Sequence, residues 1–446
     1  MKRGRAAWTK AGLNLLLSLS ACELSQADVA AFQHTATGPE KLQAVVADDH
    51  RQTALRASAA LSLLTLDRQD VDGQTLLLRE LKQLSPKAQA EIFPAFANGV
   101  ASELRTPRGR APSQAALSAK DGAVRLLPHL TEGARASLGQ RLVAWVTEDL
   151  DQRADRGRYK LEQVVAQTGP AAAKPLAQAM ASTTEPSGVL RLAWAVRPDA
   201  EPSTRQLAAE RLARLDHATL AATPAALGRF ADRAPARTRL LAMARDSKLP
   251  ANARASCLSE LHGHVTQTEL KSLLALAQDE ESPLELRTAA VSRAGEPRSR
   301  DVLPELLKLV GEEGHAGLRQ AAGELVVEIG GEDSLTSFLR RLPSAWNMTY
   351  AKSEIDAYSE RINTLPKTEA LTSLLGNKLY AGQWWIRVLG LRYFGVHGDK
   401  EDVWRLRQQT EEPMTITGEG FPRYHTVGRE ARANLELALD RLGLPR

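Results

Sequence analysis

Several things are scarce in this chain of 446 residues. Aromatic residues make up only 4%, and there are two cysteines, Cys22 and Cys257, too few for a disulfide framework. Runs of Val, Ile, Thr and aromatics alternating with polar residues are rare, which argues against extended sheet. The motifs of common chemistries are missing as well. There is no Gly-x-x-x-x-Gly-Lys-Ser/Thr phosphate loop, no His-Glu-x-x-His, no Cys-x-x-Cys pair and no Gly-x-Ser-x-Gly elbow. These absences remove the usual routes to nucleotide, zinc and serine catalysis. The expectation is a chain that is not an enzyme and holds no metal and no cofactor.

Hydrophobic residues at 43% and charged residues at 25% match a folded protein with a large core. The body is rich in Ala, Leu, Arg and Glu, all strong helix formers. The formal net charge is +5, but Lys2, Arg3, Arg5 and Lys10 lie in a segment, 1–21, that has no acidic residue. Without those four cations the remainder stands at +1, that is +5 less four. Nucleic-acid binding needs clustered positive charge facing phosphates, so no nucleic-acid partner is expected.

The first 21 residues have the layout of an export signal: a basic start, then a short apolar stretch from Ala11 to Ser20. That stretch is too short to span a bilayer, which takes about 20 apolar residues. It ends in Leu19-Ser20-Ala21-Cys22, which resembles the lipobox of bacterial lipoproteins. The resemblance implies cleavage before Cys22 and acylation of that residue. It places the chain in the cell envelope, lipid-anchored on the periplasmic face. Glu23 follows Cys22 in place of the Asp that retains many lipoproteins at the inner membrane, so the outer membrane is the preferred site. Two or more acyl chains give stable anchoring, at about 0.8 kcal/mol per buried methylene. Residues 22–39 show no sustained helical period and read as a flexible tether.

A fixed-period pattern runs through the rest. Asp48 precedes Leu55-Arg56-Ala57, Asp246 precedes Ala253-Arg254-Ala255, and Asp279 precedes Leu286-Arg287-Thr288, with the Arg eight residues after the Asp each time. Leu318-Arg319-Gln320-Ala321-Ala322, after Glu312, and Thr204-Arg205-Gln206 are further copies. Arg254, Arg287 and Arg319 are 33 and 32 residues apart, enough for two helices and two turns per unit. Leucines at three- and four-residue spacing in 270–276 and 303–309 mark one buried face of the first helix. The turn Asp can cap the next helix. An Arg in a helix's first turn is poorly placed for the macrodipole. A ladder of Asp–Arg pairs (Asp48, Arg56, Asp246, Arg254, Asp279, Arg287, Arg319) would compensate.

This turn-Asp, Leu-Arg-x-x-Ala-Ala pattern resembles HEAT repeats. Gly169-Pro170-Ala171-Ala172-Ala173-Lys174-Pro175-Leu176 resembles the Gly-x-x-Ala-x-x-x-Leu form of related bacterial repeats. The resemblance implies an all-α solenoid of stacked helix pairs over 40–335, degenerate through 70–235, followed by aromatic-rich repeats and a cap over 336–446. Helical-repeat hydroxylases with a di-iron centre use His-Glu dipeptides, and this chain has none.

Three local features carry candidate chemistry. His262-Gly263-His264, close to Cys257 and Glu260, has two imidazoles but no fixed third ligand, so Gly263 reads better as a helix stop. Residues 104–120 read as a basic inter-helix loop with Arg105, Arg108 and Arg110. Most informative is the C-terminal quarter, where twelve of the twenty aromatics fall within 338–446. There Tyr380, Trp384, Trp385, Trp404, Phe421, Arg423 and Tyr424 gather around a Gly/Pro-containing segment, 411–428. Trp, Tyr and Arg dominate interface energetics, so these residues are a candidate partner-binding surface. Bulky side chains closing the end of a repeat array would give the same composition. The leading expectation is a membrane-anchored scaffold for a protein partner. An enzyme or enzyme-accessory factor, with repeats resembling those of phycobiliprotein lyases, is the alternative. A structural envelope component with no discrete ligand is the third.

Overall fold

The computed structural model describes residues 24–66, 68, 70–311, 315–342 and 352–445. Cys22 and the leader, Glu312, Trp346 and Tyr350 lie outside the described residues. The fold is all-α, with helices packed in neighbouring pairs. Among the described residues β-type pairing is confined to two isolated bridges, Arg68–Val71 and Thr415–Thr426. The chain divides into two compact units, one ending at Leu212 and the other starting at Ala213. That division differs from the expected change near residue 335, which falls inside one helix, Ala316–Arg341.

The second unit shows the repeat principle most plainly. Helices Ala234–Arg245, Gln267–Gln278 and Leu303–Val310 pack against one another in sequence. Their partners Ala251–Ser259, Leu284–Gly295 and Ala316–Arg341 form an adjacent row. Leucines fill the space between rows: Leu240, Leu258, Leu273, Leu286, Leu306 and Leu318 are buried. Small residues such as Ala290 and Ala322 let helices of one row approach closely. The long helix breaks at Gly331, whose φ of 57° and ψ of −147° are non-helical. Residues after the break therefore start a new pair with Lys352–Asn363. Two further pairs follow, Glu369–Lys378 with Trp384–His397, and Asp402–Gln409 with Val427–Leu442.

The ladder arginines are buried; several donate to backbone carbonyls, and beside the hydrogen bond from Ser282 the charges of Arg254 and Arg287 also help to hold the Asp279 carboxyl below its ordinary value. The Arg56 Nε donates to the Val46 carbonyl at 3.0 Å, and the Nε atoms of Arg254 and Arg287 donate to the carbonyls of Ala244 and Ala277 at 2.8 Å. Each Arg is the fourth residue of its helix, and each acceptor lies in the last turn of the helix before it. The two helices are antiparallel, so the negative end of one dipole sits beside the first turn of the next. That carbonyl end offsets the unfavourable macrodipole position of the cation. A hydrogen bond to a charged donor of this kind contributes about 1.5–3 kcal/mol.

The turn aspartates do not cap the following helices. Asp48, Asp246 and Asp279 are the C-terminal flanking residues of the preceding helices. Their carboxylates accept from the amides of His50, Lys248 and Glu281, two residues on, and so fold the turn on itself. One rung does link neighbouring units. Arg254 donates to Ser282 Oγ at 3.0 Å, and Ser282 donates to Asp279 at 2.7 Å. Arg319 departs again: its Nε and Nη2 form a forked pair with Glu354 at 3.1 and 3.0 Å, with both side chains buried.

The first unit begins earlier than expected. The supposed tether contains a helix, Gln26–Phe32, started by a Ser25–Asp28 capping box, and Val29 is fully buried. Gly38 and Pro39 already belong to the next helix, Gly38–Ala47. In the degenerate stretch the cations keep their task but change register. Arg153, fully buried, donates to the carbonyls of Trp145 at 2.9 Å and Thr106 at 2.7 Å. Lys120, also fully buried, donates to the carbonyl of Tyr159 at 2.7 Å and pairs with Asp121 at 3.0 Å. The basic loop is correspondingly ordered. Trp145 Nε1 donates to the Leu104 carbonyl, and Asp149 accepts from the Gly109 amide at 2.7 Å. Helix Gln114–Leu126 takes up its second half.

Candidate recognition surface

Helix Trp384–His397 is apolar on most of its circumference, and this decides what its aromatics do. It packs against helices Lys352–Asn363, Glu369–Lys378 and Val427–Leu442 together. Enclosed on several sides, Trp384 and Trp385 are only 6% and 5% exposed. They are core residues and present no surface to a partner, contrary to expectation. Trp384 meets Trp385 edge-on at 5.7 Å and Phe421 edge-on at 5.4 Å. Phe421, half-buried, thereby pins segment 411–428 to the helix.

The same segment is folded as a short ribbon. The Ile416 amide donates to the His425 carbonyl at 3.0 Å, and the Val427 amide to the Met414 carbonyl at 2.9 Å. Gly428 is required where the ribbon enters the last helix, since a Cβ there would lie 2.6 Å from the Thr410 carbonyl oxygen. Salt bridges hold the ribbon from the other side. His425 contacts Glu430 at 2.9 Å, Glu430 meets Arg392 at 2.6 Å, Arg392 meets Asp356 at 2.6 Å, and Asp356 meets Lys352 at 2.6 Å. The Lys352 amide closes the circuit on the Glu419 carbonyl at 2.8 Å. Burial alone would push the Glu430 carboxyl up, but the charge of Arg392 and the hydrogen bonds from His425 and Arg392 bring it below the ordinary value. Asp356 shows the same balance, with Lys352 and Arg392 overcoming burial.

Of the seven predicted aromatic-cluster residues, four remain outward. Tyr424 is 71% exposed at the tip of the ribbon, with a left-handed φ of 63° and the Arg423 guanidinium 5.1 Å over its ring. Tyr380 is 57% exposed and Trp404 50% exposed. These last two belong to one face. Tyr380 donates its hydroxyl to Gln408 Oε1 at 2.8 Å, and Gln408 stands one turn after Trp404 on helix Asp402–Gln409. Arg407, exposed, shares that helix face. The spacing of Tyr380 from Trp404 hides this meeting, because it depends on two neighbouring helix pairs. The carboxylate network around Arg392 was equally invisible, apart from the i, i+4 pair Lys352–Asp356.

The other candidate features resolve into local structure. His262 Nδ1 lies 2.8 Å from Glu296 Oε1, and the Gly263 amide donates to Glu296 Oε2 at 2.9 Å. With Gly263 at a φ of 73°, the segment is a turn closed by a carboxylate from the next helix pair. Among the described residues, no group of three His, Cys, Asp or Glu side chains is arranged to hold a metal ion. Cys257 is buried, and burial pushes its thiol up to about 11. Among the described residues, no helix is long and apolar enough to cross a membrane.

Comparison with known proteins adds little. No protein-family model and no curated protein matches the chain. A solved structure of an engineered protein aligns over 95% of this chain and 98% of its own, at 12% identity and a TM-score of 0.26. Similarity at that level carries no argument about fold or function.

Proposed function

We propose that this chain is a protein-binding scaffold, a HEAT-like array of helix pairs held at the cell envelope by acyl chains on Cys22. The observation that carries the binding reading is the Tyr380–Gln408–Trp404 face. Burying a Trp or Tyr is worth more than leaving it in water, and such residues are the usual anchors of protein interfaces. Both rings stand outside a well-packed core that had room for Trp384, Trp385, Tyr393 and Phe394. A purely structural cap has no use for them at the surface. The anchoring reading rests on the lipobox resemblance of Leu19-Ser20-Ala21-Cys22.

A photo-crosslinking amino acid placed in turn at Tyr380, at Trp404 and at the exposed Leu284 tests the binding reading in the native host. A discrete protein adduct at Tyr380 and Trp404, absent at Leu284, is expected. Equal labelling at all three positions overturns it. For the anchor, Cys22→Ala should move the chain from the membrane to the soluble fraction, and unchanged fractionation would refute acylation.

A further inference from the structure

We infer that the Tyr380–Trp404 face takes an acidic peptide segment, with Arg407 reading the carboxylate. This rests on the binding reading above and specifies its partner. The argument is one of charge already spoken for. Several carboxylates of these C-terminal helix pairs have their own cation. Asp402 is paired with Arg405, Asp399 with Lys367, Glu411 with Arg432, Glu412 with Arg387, and Glu430 with Arg392. Arg407 is exposed and makes no ion pair among the described residues, and Lys378, two residues before Tyr380, makes none either. Glu401, exposed, stands at the opposite end of the Trp404 helix from Arg407.

The geometry gives the face an order. Trp404, Arg407 and Gln408 stand at i, i+3 and i+4, and so share one side of a two-turn helix. Tyr380 is docked on Gln408, at the Arg407 end. A segment lying across it would bury an apolar side chain against the rings and set a carboxylate beside a guanidinium at the rim. Such a rim charge steers encounter and selects among partners. A planar guanidinium is suited to a carboxylate through two parallel hydrogen bonds. The same residue types, Trp and Tyr beside a cation, also suit a membrane interface. Trp404 stands on a two-turn helix and Tyr380 in the turn after helix Glu369–Lys378, with its hydroxyl engaged by Gln408, so the two rings offer little area to lipid.

The test uses the full chain without its leader and a random peptide library displayed on phage. Enriched peptides are then synthesised with a fluorophore and titrated by anisotropy. Enrichment of Asp or Glu next to an apolar residue is expected. Trp404→Ala should weaken these peptides by at least about tenfold. Arg407→Glu should weaken them by about tenfold and shift a repeated selection toward Lys or Arg. Peptides that depend on Trp404 but carry no acidic preference, and ignore Arg407→Glu, would overturn this inference and leave the binding reading standing. No Trp404-dependent peptide at all would overturn both. Cosedimentation with phosphatidylglycerol vesicles that is lost in Trp404→Ala would assign the face to lipid instead.

Discussion

Two stretches of the second unit hold themselves together differently. From Ala234 to Gly295 the fold is repetitive, and buried arginines tie each helix start to the preceding helix end. From Lys352 to Leu442 the helix pairs persist, but large aromatics fill the interior and carboxylates enter the positions held by arginine. Glu354 is the third residue of its helix and Glu430 the fourth of its own, where the regular repeats carry Arg254 and Arg287. Each pairs with an arginine from the preceding pair of helices, Arg319 and Arg392. In the regular stretch the first-turn arginines serve backbone carbonyls within a pair, while other charges, Arg237 with Glu269 at 3.1 Å among them, join one pair to the next. In the C-terminal stretch the first-turn charge itself makes that join. The outer surfaces diverge accordingly. Of the seven exposed large apolar side chains among the described residues, five lie between Tyr380 and Leu437, in the irregular stretch.

The sharpest way to break this comparison is at its seam. Glu354→Ala leaves Arg319 buried without its forked partner and removes the acceptor of the Tyr358 hydroxyl. A loss of about 3–5 kcal/mol in chemical denaturation is expected. Replacing both Arg319 and Glu354 by Met should recover most of it, because paired burial is costly even when satisfied. A loss below about 1 kcal/mol would mean the pair is not what joins the stretches. Trp384→Ala tests the aromatic interior with a similar loss, about 3–5 kcal/mol. It should also release the ribbon, seen as faster amide exchange at Ile416 and Val427, while amides of helix Leu284–Gly295 keep their protection.

Arg254→Ala probes the regular stretch. It removes the donors to the Ala244 carbonyl and to Ser282 Oγ, with an expected loss of about 1.5–3 kcal/mol. Arg254→Lys should fall in between, because a single ammonium cannot serve both acceptors in the guanidinium geometry. Acid probes the C-terminal network directly. Asp356 and Glu430 lie below their ordinary values of 3.8 and 4.5 in the folded chain. The stability they contribute is fully present above those ordinary values and disappears as pH falls through the lower folded ones. Amide exchange at Ile416 and Val427 should therefore rise in acid as Asp356 and Glu430 take up protons, and exchange there that is unchanged down to about pH 3 would mean the network does not hold the ribbon.

How much of this was legible follows from the range of each interaction. The helix pairs were legible because leucine spacing and the 33-residue recurrence of Arg254 and Arg287 are properties of contiguous sequence. The partner of Arg254 was not, since a backbone carbonyl has no letter in the sequence and the Asp eight residues away was the only visible counter-charge. Helix Gln26–Phe32 escaped because seven residues are too few to establish a period, although the Ser25 and Asp28 capping pair was in view. The wealth of aromatics in the C-terminal quarter was legible as composition. The inward and outward members were confused, because adjacent Trp384 and Trp385 look alike on paper and only the enclosure of their helix places both inside.

The smallest expected effect completes the comparison. Trp404→Ala and Tyr380→Ala should each change stability by no more than about 0.5 kcal/mol, against the large loss for Trp384→Ala. The reasoning is that half of each ring is already in water, Trp404 makes no ring contact among the described residues, and Tyr380 loses one exposed hydrogen bond to Gln408. Removing an exposed aromatic can even raise solubility. Small stability losses at both positions, set beside a loss of peptide binding, would separate the proposed docking face from the packed interior. If Trp404→Ala instead costs as much as Trp384→Ala, the ring is part of the cap, and the distinction between inward and outward aromatics collapses.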